Sequence, residues 1–343
     1  MVGTMNLKHF IKISIFIIFL NQPMLVLSQS KVGTTVGQFL KIEPSARGTA
    51  LGNASTSLYG EAATAFYNPA SIGRLQKSNV QFTHSNWLAD IDYNFVIVAL
   101  NIGNLGTMSL QAISLNSGEI DVRTVEQPMG TGERYSVTNF ALGLGYARML
   151  TDRVSVGMII NYLRETIWHS NAAGVALNFG VQYQLSHDGL TLGASVANFG
   201  PRMKYSGRDL FIDYDFYPDK YGDNDNLPAE LRTDAYQLPT IFRFGMSYPV
   251  RLGDNNRILI AVDAKNPSDN TQSLNLGVEW KILDRFALRG GYRDLFLKDS
   301  EGGLVFGAGM QLEYYQYNLM FDYAWADYGR LEQTHRFTLG LGF

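Results

Sequence analysis

The stretch His335-Arg336-Phe337-Thr338-Leu339-Gly340-Leu341-Gly342-Phe343 decides the fold. Large apolar side chains stand at Phe337, Leu339, Leu341 and Phe343, with polar or tiny residues between them. Period-two alternation puts successive side chains on opposite faces of a strand, one greasy and one polar. If the greasy face meets lipid, the chain is not a soluble domain and its other strands must read the same way.

A terminal strand ending on an aromatic residue is similar to the signal that outer-membrane β-barrels present for assembly, so Phe337, Leu339, Leu341 and Phe343 are the candidate assembly signal. The same split of faces recurs upstream. Tyr315, Tyr317, Leu319, Phe321, Tyr323 and Trp325 alternate with Gln316, Asn318, Met320, Asp322 and Ala324. Aromatics at both ends of an apolar face form the girdle of a strand spanning a bilayer. Other such faces are Phe140 to Tyr146, Val154 to Tyr162, Val175 to Tyr183, Phe242 to Tyr248 and Leu274 to Trp280, each at every second position. About fourteen strands result, an even number as in bacterial single-chain barrels. They begin near 79, 93, 106, 135, 153, 172, 190, 240, 257, 273, 286, 304, 315 and 335. The connections, which played no part in finding the strands, sort into short turns (Ile102–Gly106, Leu150–Asp152, Ser186–Gly189, Leu252–Asn256, Leu283–Asp284, Glu313–Tyr314) and longer loops, notably Gly118–Arg134 and Asn198–Pro239. Short periplasmic turns opposite longer outer loops place both termini in the periplasm.

Bulk properties agree. The 343 residues are 46% hydrophobic and only 17% charged, with 34 Gly and 19 Tyr, which suits an all-β chain. A net charge of −3 gives no electrostatic case for nucleic acid, and the absence of cysteine excludes disulfides, thiolate catalysis and Cys-based metal sites. No internal stretch reaches the roughly 18 apolar residues of a membrane helix. Lys8 and Lys12 before Ile13 to Leu20, then Pro23, Ser28 and Gln29, have the layout of a signal peptide over residues 1–28. The mature chain then divides into a hatch or plug segment, 29–77, and an outer-membrane antiparallel barrel, 78–343.

The inner faces motivate the plug. They carry many glycines (Gly143, Gly145, Gly174, Gly180, Gly245, Gly277, Gly291, Gly307 and Gly309 among them) and a scatter of charges: Arg243, Asp263, Glu279, Arg289, Arg293, Asp322 and Arg336. A barrel of about fourteen strands is wider than its own side chains can fill, and inward glycine marks close approach of another backbone. The segment before the first strand lacks strand alternation and holds a short helical stretch, Glu61 to Tyr67, stopped at Asn68-Pro69. A plug inside the lumen is the expectation; a disordered periplasmic leader is the alternative. The inner charges either line a solute path or pair with each other and with the plug through Arg47. Pairing is favoured, since buried charge is costly alone.

This segment also carries a resemblance. Gln38-Phe39-Leu40-Lys41-Ile42, Ser45-Ala46-Arg47-Gly48-Thr49-Ala50-Leu51-Gly52 and Glu61-Ala62-Ala63-Thr64-Ala65-Phe66-Tyr67-Asn68-Pro69-Ala70-Ser71-Ile72 resemble the PorV/PorQ family, a branch of the FadL-like barrels. The likeness is sharpest over 36–75. It departs where Glu61-Ala62 replaces an acidic pair and where the usual glycine after Asn68-Pro69-Ala70 is Ser71. It implies fourteen strands, an N-terminal hatch whose motif residues are Arg47, Gly52, Asn68, Pro69 and Ala70, and a non-enzymatic part in type IX protein secretion, as cargo shuttle or attachment-complex subunit. FadL-like relatives instead pass hydrophobic small molecules, which is the alternative function.

Catalytic and metal-binding patterns are sparse. His9, His84, His169, His187 and His335 form no metal-binding spacing, and no nucleophile elbow appears. Gly143/Gly145 and Gly307/Gly309 lie mid-strand with no helix following, so they are not phosphate loops. No enzyme activity and no cofactor are expected. Asp213, Asp215, Asp219, Asp223 and Asp225 are dense enough to raise calcium, but their spacing is not that of an EF-hand and a solvated loop is the simpler reading. The aromatics among them, Phe211, Tyr214, Phe216, Tyr217 and Tyr221, make this loop the candidate partner-binding surface. The partners expected are outer-membrane lipid, proteins of the secretion machinery or its cargo, and, on the alternative, a hydrophobic ligand.

Overall fold

The computed structural model describes residues 32–343 except 187, 188, 223–225 and 299. The signal-peptide expectation, His9, His187, Asp223 and Asp225 lie outside the described residues. Fourteen long strands follow in order: β1 (Asn79–Asn86), β2 (Asp92–Asn101), β3 (Thr107–Asn116), β4 (Val137–Met149), β5 (Val154–Ile167), β6 (Ser170–Gln184), β7 (Thr191–Phe199), β8 (Ile241–Arg251), β9 (Asn256–Pro267), β10 (Ser273–Ile282), β11 (Phe286–Leu295), β12 (Leu304–Tyr314), β13 (Tyr317–Asp327) and β14 (Gln333–Gly342). Each pairs antiparallel with its sequence neighbours. β1 also pairs with β14, from Asn79 opposite Gly342 to Asn86 opposite His335. The sheet is therefore a closed barrel with no edge, the only sheet geometry that satisfies every backbone group in hydrocarbon.

Alternation sets the two surfaces. On β14, Arg336 and Thr338 are buried inside, while Phe337 (44% exposed), Leu339 and Phe343 point out. Phe82, Val96, Leu110, Leu142, Ile160, Phe179, Phe244, Ile260, Val278, Leu288, Phe306 and Phe321 continue that exposed apolar surface around the barrel. A continuous apolar girdle of this extent faces lipid, not water. Tyr146, Tyr183, Tyr248, Tyr314 and Tyr317 ring it at one end.

One end of the barrel carries the tight turns and Phe343; the other carries the long connections, 117–136 and 200–240. The sorting of short and long is partial: at the loop end β5 and β6 are joined by Trp168 and His169 alone, and the connections 87–91, 268–272 and 328–332 are as short as 102–106 at the turn end. The last turn sits at Tyr315 and Gln316, not at Glu313–Tyr314, because Tyr315 takes a left-handed φ of 53° that ends β12. Within the 200–240 connection, residues 211–214 and 227–230 form a short two-stranded ribbon, and 206–207 add to β6.

Residues 36–75 lie inside the barrel. A single helical turn, α1 (Ala46–Ala50), is capped by the Ser45 hydroxyl, which accepts from the Gly48 N–H at 3.1 Å. The helix expected at Glu61 to Tyr67 is instead a 3₁₀ turn over Ala62–Phe66, and a second 3₁₀ turn starts on Pro69. Asn68 between them is extended, as a residue before proline prefers. The chain does not stop there, because the Asn68 side chain caps the second turn by accepting from the Ala70 N–H at 3.0 Å. Both termini were expected on one side. The N-terminus itself lies outside the described residues; the first described ones lie at the loop end, where the Val36 N–H donates to the Gln237 carbonyl at 3.1 Å, opposite Phe343.

Leu339→Arg places a charge on the lipid face mid-strand and should cost about 2–4 kcal/mol, read as a lower urea midpoint for unfolding from vesicles. Thr338→Ser on the inner face of the same strand should leave that midpoint nearly unchanged.

Candidate functional site: the plug and the lumen wall

The plug is seated on glycine. Seven of the eight consecutive strands β5 to β12 present an inward glycine where plug backbone passes: Gly157, Gly180, Gly193, Gly245, Gly277, Gly291 and Gly307. A methyl group would strike the Pro69 carbonyl at Gly157, the Asn68 amide at Gly180 and the Thr56 carbonyl at Gly193. It would strike the Leu51 carbonyl at Gly277, the Gly52 nitrogen at Gly291 and Ala50 at Gly307. Three of these are direct cross-strand pairs: Gly157 with Gly180, Gly193 with Gly245, and Gly277 with Gly291. Gly52 itself has φ +64°, and a Cβ there would lie 2.6 Å from the Leu276 carbonyl oxygen. At that position the conformation and the space both demand glycine.

The exception in the belt is β9, which supplies Asp263 instead. Its Oδ2 accepts from the Ser55 N–H (2.9 Å), the Thr56 N–H (2.8 Å) and the Thr56 hydroxyl (2.6 Å). Other wall side chains satisfy plug backbone in the same way. The Ser195 hydroxyl donates to the Tyr67 carbonyl (2.7 Å), Ser155 to the Ala70 carbonyl (2.6 Å) and the Gln182 amide to the Leu58 carbonyl (2.8 Å). The Asn68 amide returns the favour, donating to Thr56 in the plug (2.8 Å) and to Val181 in the wall (3.0 Å).

The sequence-nominated charges all face the lumen. Arg47 binds Glu279 through two nitrogens, 2.8 Å each, and Glu61 at 3.0 Å. Arg289 bridges Glu279 (2.6 Å) and Asp322 (2.5 Å). Two guanidiniums and three carboxylates thus make one buried chain from the plug across β10, β11 and β13, with bidentate geometry that suits arginine. Arg293 sits between Asp294 (3.2 Å) and the ring of Tyr328. Arg243 and Arg336 belong to neither group. At the loop end, Asp269 accepts from Gln38 (2.8 Å), Lys41 (3.0 Å) and Thr35 (2.9 Å), and although burial opposes it, these donors hold its carboxyl below the ordinary range.

Two cavities lie on either side of the plug. The loop-side one, about 290 Å³, is bordered by Lys41, Glu43, Trp87, Lys265 and Arg293. The turn-side one, about 310 Å³, is bordered by Arg47, Tyr59, Glu279, Lys281 and Asp322. Every strand is paired on both sides, so the wall is continuous. Two bulges interrupt its register, and at each an asparagine side chain replaces a ladder bond. Asn178 accepts from the Asn198 N–H (2.7 Å), and Asn275 from the Asp294 N–H (2.8 Å).

The candidate partner surface, Phe211, Tyr214, Phe216, Tyr217 and Tyr221, is exposed on and beside the short ribbon, with Tyr221 fully so. Asp213, Asp215 and Asp219 belong to no metal-holding group among the described residues.

Solved structures similar in fold include a FadL homologue of Pseudomonas aeruginosa (TM-score 0.55, 11% identity, covering 91% of this chain and 99% of that one). The toluene transporter TodX of Pseudomonas putida matches with TM-score 0.54 and 11% identity, covering 88% of this chain and 98% of that one. The toluene transporter TbuX of Ralstonia pickettii matches with TM-score 0.52 and 10% identity, covering 88% and 97%. The chain shares their fold. No family model and no curated protein matches the sequence.

Gly277→Val drives a side chain into the Leu51 carbonyl, an overpacking that costs about 1–3 kcal/mol. The barrel should still assemble; trypsin should spare Arg47 in the wild type and cut there in the variant. Equal resistance would show that the plug does not depend on this seat. The Asp269 tether should respond to acid. A carboxyl held below its unfolded value stabilises at pH above about 3.9 and loses that contribution as pH falls through its folded value. Hydrogen exchange of residues 35–42 should rise only below that pH, and in Asp269→Asn it should be raised already at pH 7.

Proposed function

We propose that the protein is an integral outer-membrane transporter of small hydrophobic molecules, closed at rest by residues 36–75, with its tight turns facing the periplasm. One observation carries the reading: the plugged lumen holds a cavity on each side of the plug, in a fold that matches toluene transporters over nearly their whole length. The plug's contacts suit a removable barrier. Its backbone is held by side-chain hydroxyls and amides that water can replace, and its glycine seat is smooth. The wall has no lateral gap, so the path runs along the barrel axis between the two cavities and opens when residues 50–56 leave their glycine seat on β8 to β12.

In proteoliposomes the protein should raise toluene flux above that of empty vesicles. Asp263→Asn, which weakens the grip on Ser55 and Thr56, should raise it further. Flux equal to that of empty vesicles for both proteins would overturn the reading.

A second reading, a component of type IX secretion, draws on the likeness of residues 36–75 to the PorV/PorQ pattern and on the ribbon at 211–214 and 227–230. An isolated two-stranded ribbon is marginal in water, and this one exposes Phe211 and Tyr214 at the loop end, as a docking element does.

A further inference from the structure

The lipid-facing wall has a notch at the loop end of β8, β9 and β10. Ala264 stands outward between Phe244 and Leu274, each directly opposite it on a neighbouring strand. A methyl group between two large side chains leaves a hollow of about 430 Å³, which Phe242 and Phe296 also border. Phe296 belongs to the connection after β11, and its place there is costly. Its φ of +66° is left-handed, an outlier for a bulky residue, and it is 83% exposed. The turn that projects it is fixed by Asp294, itself left-handed with a φ of 55°. The Asp294 carboxylate accepts from Lys265 at 2.8 Å and from Ser273 at 3.3 Å. Its N–H donates to Asn275 at 2.8 Å, and its carbonyl accepts from the Leu297 N–H at 3.2 Å. Strain that its surroundings over-determine in this way clusters at ligand clamps.

The notch lies against the loop-side cavity. Lys265 and Ser273, the last rung joining β9 to β10, border both the outer notch and the lumen. Beyond that rung the strands part into the 268–272 connection, so one rung stands between the outer wall and the cavity. Three phenylalanine rings border the notch, and the edges and faces of aromatic rings attract one another. Its lining covers only 242–244 on β8 and 264–266 on β9, about 10 Å of strand. That is shorter than an acyl chain and ample for a single ring. We propose that this notch is a binding site for a small aromatic hydrocarbon, held by Phe242, Phe244, Leu274 and Phe296 at the entrance to the loop-side cavity. The solute reaches the cavity over the Lys265–Ser273 rung, at the barrel rim, with the wall still closed. The inference rests on the transport reading and deepens it, by placing where the solute first binds.

Full-length protein in phosphatidylcholine vesicles would be photolabelled with phenyl(trifluoromethyl)diazirine, an aromatic probe that also marks lipid-facing residues, and the labelled positions mapped by mass spectrometry. Labelling at the four notch residues should saturate, and toluene at about ten times its Kd should cut it about tenfold. Labelling at Leu142 and Ile160, exposed elsewhere on the girdle, should rise linearly with probe and ignore toluene. Hexane, apolar but not aromatic, should displace far less. Ala264→Phe fills the notch from the lipid side and should abolish the saturable part, and Phe296→Ala should weaken it. Folding of each variant is checked by its heat-dependent shift in electrophoretic mobility; if neither folds, the wild-type competition decides alone. Notch labelling as linear as that at Leu142, the mark of lipid as sole occupant, or equal displacement by hexane overturns the site. Toluene flux above that of empty vesicles keeps the transport reading if the site falls, whereas saturable labelling without flux keeps the site and ends that reading.

Discussion

A ring of fourteen strands encloses more space than its own side chains can fill, and most of this molecule answers that constraint. In hydrocarbon the sheet must close, because an unpaired edge has no water to satisfy it; closure at this strand number then leaves an unfilled lumen. The chain fills it with its own leading segment. That segment is irregular, so its backbone polar groups cannot satisfy one another, and the wall must supply partners. Hence the inward faces are not uniform. On β2 to β5, Phe95, Ile97, Ile113, Ile159 and Leu163 form one apolar core with Phe39, Leu40, Phe66, Tyr67 and Ile72 of the plug; elsewhere glycine lies where plug backbone touches, and Ser, Thr, Asn, Gln and acidic side chains lie where plug N–H and carbonyl groups need partners.

The same constraint places the charges. Arg47, some 230 residues from Glu279 in sequence, is the plug's only cation in the Arg47–Glu279–Arg289–Asp322 chain. Removing any single member leaves its neighbours without a counter-charge, so the chain keys the plug to one orientation and not merely to the lumen. Asp263 does the same for the Ser55–Thr56 turn, and Asp269 for the segment's loop-side start. Three acidic anchors at three heights hold one irregular strip of chain.

Much of this was legible in the sequence, for a reason of geometry. A lipid-facing strand repeats every two residues with no exposed lysine or glutamate to blur it, so all fourteen strands begin within two residues of where alternation puts them. The inward glycines and the inward charges followed from the same period. What stayed hidden depends on contacts between distant residues or on single dihedral angles. α1 spans only five residues, too short for a helical period to register. Asn178 and Asn275 look like ordinary inward amides until a bulge sets an N–H against each. The pairing of Arg47 with Glu279 rather than Asp322 depends on barrel register. The loop-end position of Thr35 and Val36 depends on the plug's path, which hydropathy does not encode.

The glycine belt also bears on whether the plug can move. Side chains that interlock make sliding expensive, because each must change rotamer or leave a void. That holds on β2 to β5, where Phe39, Leu40, Phe66, Tyr67 and Ile72 pack with Phe95, Ile97, Ile113 and Ile159; on β5 to β12 the glycine floor opposes displacement mainly through the hydrogen bonds and ion pairs along the plug's edges. Those groups are polar, and the cavities above and below bring water or a polar ligand within reach of them, so an exchange of partners can replace each contact as it breaks.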